Sequence, residues 1–131
     1  MVKTIIQKVK FKTAPEKLFE IYMDSKKHGA AIGSVAKVGK APGSEFMAWD
    51  GFITGTMLAT SPKTLVVQTW RGSDWKRTDP DSVLTLHFDK AKGGSLLTMV
   101  HAGVPDDQFE ALSDGWKESY WDPWKAYLGE K

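Results

Sequence analysis

From Asp106 to Leu128 the chain reads DDQFEALSDGWKESYWDPWKAYL, and the spacing of its aromatic residues limits what the rest can be. At about 100° per residue, Phe109, Leu112, Trp116, Tyr120, Trp124 and Tyr127 fall within one arc roughly 120° wide, the spacing of an amphipathic helix. Glu110, Asp114, Glu118, Asp122 and Lys125 fall on the flank and far side. A helix wet on one face must lay its aromatic face onto an apolar surface built by the rest of the chain. Asp106 and Asp107 suit the positive end of its dipole, and Gly129 suits a left-handed C-terminal cap. Pro123 lacks an amide donor and crowds the carbonyl of Ser119, so a kink or break is predicted between those residues. Aromatics at helical spacing are most often core. Trp and Tyr also carry polar tips that need partners, and several together pack poorly without a gap, so a pocket beneath this helix is expected.

The preceding residues supply the apolar surface. Val2 to Lys12 alternates, with Ile5, Val9 and Phe11 on one face and Ile6, Lys8, Lys10 and Lys12 on the other, which predicts a half-buried strand whose lysines oppose edge pairing. Thr13 and Glu16 have the spacing of a capping box, Pro15 sits in the first turn, and Leu18, Ile21 and Tyr22 give the following helix an apolar face ending near Met23 or Asp24. A second short helix or turn is expected over Ser25 to Ile32. Strand signals then dominate: Ser34 to Val38 weakly, Glu45 to Trp49 and Phe52 to Thr60 around a two-residue Asp50-Gly51 hairpin, and Thr64 to Arg71 after the Ser61-Pro62-Lys63 turn. A polar loop from Gly72 to Asp81 follows. Val83 to Asp89 and Ser95 to Ala102 form a last hairpin around Lys92-Gly93-Gly94, with Leu84, Leu86 and Phe88 on one face. The expected fold is α+β: an antiparallel sheet of about six to seven strands, two short helices after the first strand, and a long C-terminal helix packed on one sheet face.

Composition bounds the function. The 131 residues suit a single domain spanning 1–131 with a core of its own. Eighteen Lys plus Arg against sixteen Asp plus Glu leave a net charge of +2, too small to point to nucleic acid as a partner. The absence of cysteine excludes disulfides, thiolate metal sites and cysteine nucleophiles. No apolar run has membrane length and none resembles a secretory leader, so membrane insertion is not expected and a cytoplasmic location is.

Four stretches carry a resemblance to a known family: TAPEKLFEIYMDSKKHGAAIG, EFMAWDGFITG, VVQTWRGSDW and HAGVPDDQFEALSDGWKESYWDPWKAYL. In this order they resemble the activator of heat-shock protein 90 ATPase homologue domain, within the START, polyketide-cyclase and Bet v allergen-like (SRPBCC, helix-grip) superfamily. The most specific pieces are Gln68-Thr69-Trp70-Arg71, Gly103-Val104-Pro105, and Gly115-Trp116 followed by Tyr120-Trp121 and Pro123; Ala30 to Lys40 and Pro42 to Glu45 are less like the family. The resemblance implies a helix-grip fold with the sheet wrapped around the C-terminal helix, and a cavity between the two that takes lipid-like, polyketide-like or other apolar molecules. Eukaryotic activators of this family have two domains, the N-terminal one making the main chaperone contact. The resemblance covers the C-terminal type alone and does not carry ATPase activation with it.

The residues expected to line the cavity are Trp116, Tyr120, Phe109 and Leu112 on the helix, with Trp70, Gln68 and Trp49 from the strands. Arg71, at a strand end beside Trp70 and close in sequence to Trp75, is a candidate for an acidic head group, although strand alternation puts it opposite Gln68 and Trp70. Two further function classes are carried: a co-chaperone-like interaction module using a flank near Trp121, Leu128 and Lys117, and a cyclase- or hydrolase-type enzyme. For the enzyme the sequence offers no acid-base pair. In the last hairpin His87 is expected opposite Thr98 and His101 opposite Leu84, so with His28 the histidines make no evident cluster, and metal-binding and phosphate-binding motifs are absent. No cofactor or metal is expected.

Overall fold

The computed structural model describes residues 1–130. Its elements run β1 (Val2–Phe11), α1 (Pro15–Met23), α2 (Ser25–Ile32), β2 (Lys37–Val38), β3 (Glu45–Ala48), β4 (Ile53–Ser61), β5 (Leu65–Gly72), β6 (Ser82–Ala91) and β7 (Gly94–Pro105), followed by the C-terminal helix. Seven strands form one antiparallel sheet in the order β1-β7-β6-β5-β4-β3-β2. Chain order is kept from β2 to β7, each strand pairing with the next across a loop of two to nine residues, and β1 closes the sheet beside β7. Register shifts at Lys3/Ile5 in β1 and Met57/Ala59 in β4 add local twist, the effect of bulges. The fold is the expected α+β helix-grip arrangement.

Alternation decides which sheet face is covered. Ile5, Val66, Leu84, Leu86, Phe88, Leu97 and Met99 are buried on the inner face against Leu18, Ile21 and Tyr22 of α1 and the aromatics of the C-terminal helix. Ile6 and Val83, one residue out of step, are exposed on the outer face. His87 pairs with Thr98, and His101 with Leu84, as hairpin alternation predicts.

Three local expectations are corrected. The capping box does not form: the N-cap of α1 is Ala14 with no side-chain bond, and Thr13 instead turns its amide and hydroxyl toward the carboxylate of Glu130, at 3.0 and 2.6 Å. A distant carboxylate thus replaces Glu16. The Asp50-Gly51 turn is longer than two residues, because Ala48 pairs with Ile53 and leaves Trp49 to Phe52 as the loop. In it Trp49, Asp50 and Gly51 take positive φ of 53°, 55° and 94° in succession, and the chain is held by Asp50 N–H to the Val35 carbonyl at 2.9 Å. The weak strand Ser34 to Val38 shrinks to β2, two residues long.

The C-terminal helix is continuous but not uniform. A 3-10 turn (Asp106–Gln108) leads into α3 (Phe109–Trp116), a π-turn (Lys117–Trp121) and α4 (Asp122–Tyr127). Pro123 neither breaks nor ends it. The chain instead shifts its ladder just before the proline, with the Asp122 amide reaching back to the Lys117 carbonyl. This wider turn carries Trp121 round until its ring stacks on Trp116, with centroids 5.4 Å apart and planes 17° apart. Trp121, expected on an exposed flank, is therefore core at 3% exposure, whereas Tyr127 at the far end of the stripe is 45% exposed. The predicted cap forms. Gly129 adopts φ 72°, its amide bonds the Ala126 carbonyl and the Glu130 amide bonds the Lys125 carbonyl, which is the Schellman pattern.

Candidate functional site

A cleft of about 320 Å³ opens between the Trp49 to Phe52 loop, β5 and the C-terminal helix. Trp49, Phe52 and Ile53 form one wall, Trp70 stands on the sheet, and Leu112, Gly115, Trp116, Ser119 and Tyr120 form the helix wall. The two elements place these residues for simple reasons. The left-handed run at Trp49 to Gly51 carries Trp49 and Phe52 onto the cleft, and Leu112, Gly115, Trp116 and Ser119 recur at helical spacing on one helix face. At Gly115 an added Cβ would meet nothing within 4 Å, so the missing side chain is part of the open space.

Behind the helix wall, two buried histidines hold the aromatic tips. Trp116 Nε1–H donates to His101 Nδ1 at 3.1 Å, which places the His101 proton on Nε2, 2.8 Å from Ser82 Oγ; that hydroxyl donates in turn to the Trp70 carbonyl at 2.6 Å. On the other side His28 Nδ1 faces the Tyr22 carbonyl at 2.8 Å, a group that only accepts, so Nε2 accepts from the Tyr120 hydroxyl at 2.8 Å. Both rings are completely satisfied when neutral. Burial accordingly lowers His101 to about 3 and His28 to about 4, the Tyr22 carbonyl opposing part of the latter shift. Burial also raises the Tyr120 hydroxyl far above its ordinary range, so it stays a proton donor. The Trp70 indole N–H, also buried, finds no acceptor among the described residues.

Of the expected lining residues, Trp116, Tyr120, Trp70, Leu112 and Trp49 meet at this cleft. Three lie elsewhere. Gln68 points inward but is spent on the core, accepting the Tyr22 hydroxyl at 2.5 Å and donating to the Thr69 carbonyl at 3.2 Å. Phe109, at the start of α3, lies beneath the Lys3 ammonium, 5.1 Å from its ring centre. Arg71 is on the opposite sheet face, as alternation requires, and its guanidinium holds the following loop by donating to the Asp79 and Lys76 carbonyls, each at 2.5 Å. It also pairs with Asp81 at 3.3 Å.

Phe52, Ile53, Gly115 and Ser119 were not anticipated from the sequence, nor were the histidine tethers. Gly115 and Ser119 were the legible ones, since they lie one turn apart beside Leu112 and Trp116 on the stripe. Phe52 and Ile53 depended on the loop being four residues long. Among the described residues no three His, Asp or Glu side chains gather as a metal site, and no helix is long and apolar enough to cross a membrane.

A seven-stranded antiparallel sheet gripping one long helix, with an aromatic cleft at their junction, defines a helix-grip protein. More narrowly, residues 12–129 match the model of the activator of Hsp90 ATPase homolog 1-like protein family, and the chain belongs to that family. Among curated proteins it is 29% identical over 121 residues to an activator of 90 kDa heat shock protein ATPase homolog of Dictyostelium discoideum. It is 26% identical over 125 residues to the human homolog 1. These alignments cover 92% and 95% of this chain but 31% and 37% of the relatives, so the chain spans about a third of their length. Among solved structures, an HSP90 activator from Plasmodium falciparum superposes with a TM-score of 0.87 at 24% identity, covering 100% of this chain and 98% of the other. CalU16 from Micromonospora echinospora does so at 0.78 and 20% identity over 93% and 73%. At such identities the two structures confirm the fold.

Proposed function

We propose that this protein binds a small, largely apolar molecule in the cleft between the Trp49 to Phe52 loop and the C-terminal helix. The observation that carries this reading is the lining itself: five of its nine residues are aromatic and none is charged. Phe52 keeps 47% of its surface exposed at this wall, an arrangement that costs hydrophobic free energy unless something covers it. At about 320 Å³ the cleft lies at the small end of the ~300–1,000 Å³ usual for ligand sites. Native mass spectrometry of gently purified protein tests this by seeking a retained small molecule, with Gly115→Leu as the control. The leucine enters open space and fills the cleft. A retained mass in wild type that is lost in Gly115→Leu supports the reading, and equal retention by both removes the cleft from the site.

A second reading, a protein-interaction module acting on an Hsp90-type chaperone, draws on the relatives and on the Plasmodium falciparum structure, which covers nearly the same length of chain and is described as an HSP90 activator. The flank near Trp121, Leu128 and Lys117 loses its aromatic anchor, since Trp121 is buried. Ile6 and Val83 on the outer sheet face remain exposed and apolar. Hsp90 ATPase turnover with and without added protein tests this reading, and unchanged turnover at saturating protein rejects it.

A further inference from the structure

Resting on the ligand-binding reading, we infer that the cleft selects an uncharged, flat, ring-bearing molecule with one polar substituent placed against the hydroxyl of Ser119. Three observations converge. The walls are aromatic, Trp49 and Phe52 on one side and Trp70, Trp116 and Tyr120 on the other, the last three buried and packed ring on ring. A packed aromatic wall favours offset or edge contacts with a flat ring over contacts with a flexible chain, which must also surrender its torsional freedom on entry.

The second observation concerns charge. No lining residue carries one, and Arg71, the guanidinium nearest in sequence to Trp70, is on the other sheet face with its donors turned to the loop carbonyls. A carboxylate drawn into the cleft would leave water without a cation to meet it, a heavy desolvation cost. Fatty acids and other anionic lipids are thereby disfavoured.

The third observation is the state of the polar groups on the helix wall. The Trp116 N–H is engaged by His101 and the Tyr120 hydroxyl by His28. The Trp70 N–H has no acceptor among the described residues but is buried, out of reach of a molecule in the cleft unless the ring moves. Ser119 is the remaining polar side chain on the helix wall, and on the facing wall the Trp49 indole N–H likewise makes no hydrogen bond among the described residues. Ser113, also on this helix, returns its hydroxyl to the Phe109 carbonyl, whereas the Ser119 hydroxyl makes no hydrogen bond among the described residues. It sits in the π-turn, one turn from Gly115, where the missing side chain leaves open space. The site therefore offers an aromatic, uncharged cleft with one free hydroxyl.

Four probes separate the alternatives in titrations followed by tryptophan fluorescence: 2-acetylnaphthalene, naphthalene, 2-naphthoate and decanoate. The neutral ketone is expected to bind tightest, with 2-naphthoate at least about tenfold weaker, because it must bury its charge. Ser119→Ala should weaken 2-acetylnaphthalene about five- to tenfold and leave naphthalene unchanged, the pattern of one lost hydrogen bond. Gly115→Leu should abolish binding of both. If 2-naphthoate or decanoate binds as tightly as the ketone, or if Ser119→Ala weakens ketone and hydrocarbon alike, the inference is overturned. The cleft reading survives that outcome provided Gly115→Leu still blocks binding. Binding undiminished in Gly115→Leu removes the cleft and both readings with it. Failure of all four probes on wild type rejects this ligand class, and the broader reading then stands or falls on the mass retained by the native protein.

Discussion

The indole N–H of Trp116 donates to Nδ1 of His101 across 3.1 Å, and the same imidazole meets Ser82 on the other side, so one neutral ring ties the C-terminal helix to β7 and β6. All three side chains are buried, and both histidine nitrogens are used. Replacing His101 with leucine leaves the Trp116 N–H without an acceptor and removes a partner from Ser82. The expected loss is about 2–4 kcal/mol, seen as a lower urea midpoint at unchanged slope. A loss under about 0.5 kcal/mol would mean that water enters to replace the imidazole.

The same chemistry sets a pH dependence. His28 and His101 titrate near 6.5 when unfolded and at about 4 and about 3 when folded, burial being the main cause in each. Below pH 6.5 the unfolded chain binds protons that the folded chain refuses. Stability is therefore full above pH 6.5 and falls as pH drops toward 4 and 3, by up to about 1.4 kcal/mol per pH unit for each histidine. Urea titrations at pH 7, 6 and 5 check this, and the slope should roughly halve in His101→Leu. A flat profile over that range contradicts the neutral tethers.

How far this was legible in the sequence varies by element. The sheet, both short helices and the long terminal helix follow from alternation, turn residues and one aromatic stripe, because each element buries a face of its own period. The tethers do not follow, since His28 and Tyr120 are 92 residues apart and His101 and Trp116 meet only when the helix folds back over the sheet. The stripe also assumes one helical period throughout. A π-turn breaks that assumption, and with it the predicted place of Trp121.

Trp121 and Tyr127 offer a direct test of the changed period. A uniform helix puts Tyr127 on the buried stripe and Trp121 on the flank, whereas the structure stacks Trp121 on Trp116 and lets its N–H donate to Gln7 at 2.8 Å. Trp121→Ala should cost about 3–5 kcal/mol through the cavity it leaves. Tyr127→Ala should cost less than about 1 kcal/mol. The reverse order, measured by thermal melts of both variants, would restore the uniform helix.

Arg71 is expected to act on the loop from Gly72 to Asp81 rather than on a ligand. Its guanidinium holds the Lys76 and Asp79 carbonyls and lies 5.8 Å from the ring centre of Trp75, which packs on Trp70 with centroids 5.7 Å apart. Arg71→Ala should lower stability by about 1–2 kcal/mol and raise amide exchange across residues 73 to 80. Binding of an anion in the cleft should be unaffected. An exchange map unchanged in that loop would leave Arg71 as a plain surface charge.

Glu130 is the acidic partner of the first strand and helix, in place of the Glu16 that the local sequence suggests. Its carboxylate accepts from the Lys12 amide at 2.6 Å and from both the amide and the hydroxyl of Thr13. Partial burial works to raise its pKa, but these hydrogen bonds outweigh burial and the carboxyl titrates below its ordinary value. The bonds span 117 and 118 residues, so they fasten the end of the C-terminal helix across the β1 to α1 junction. Glu130→Ala should therefore cost about 1 kcal/mol, the partly exposed setting keeping the figure modest, and should speed amide exchange at Lys12 and Thr13. Glu16→Ala should change stability by no more than about 0.5 kcal/mol, because Glu16 is exposed and the N-cap of α1 makes no side-chain bond. Exchange at Thr13 accelerated by Glu16→Ala and not by Glu130→Ala would return the cap to the local sequence.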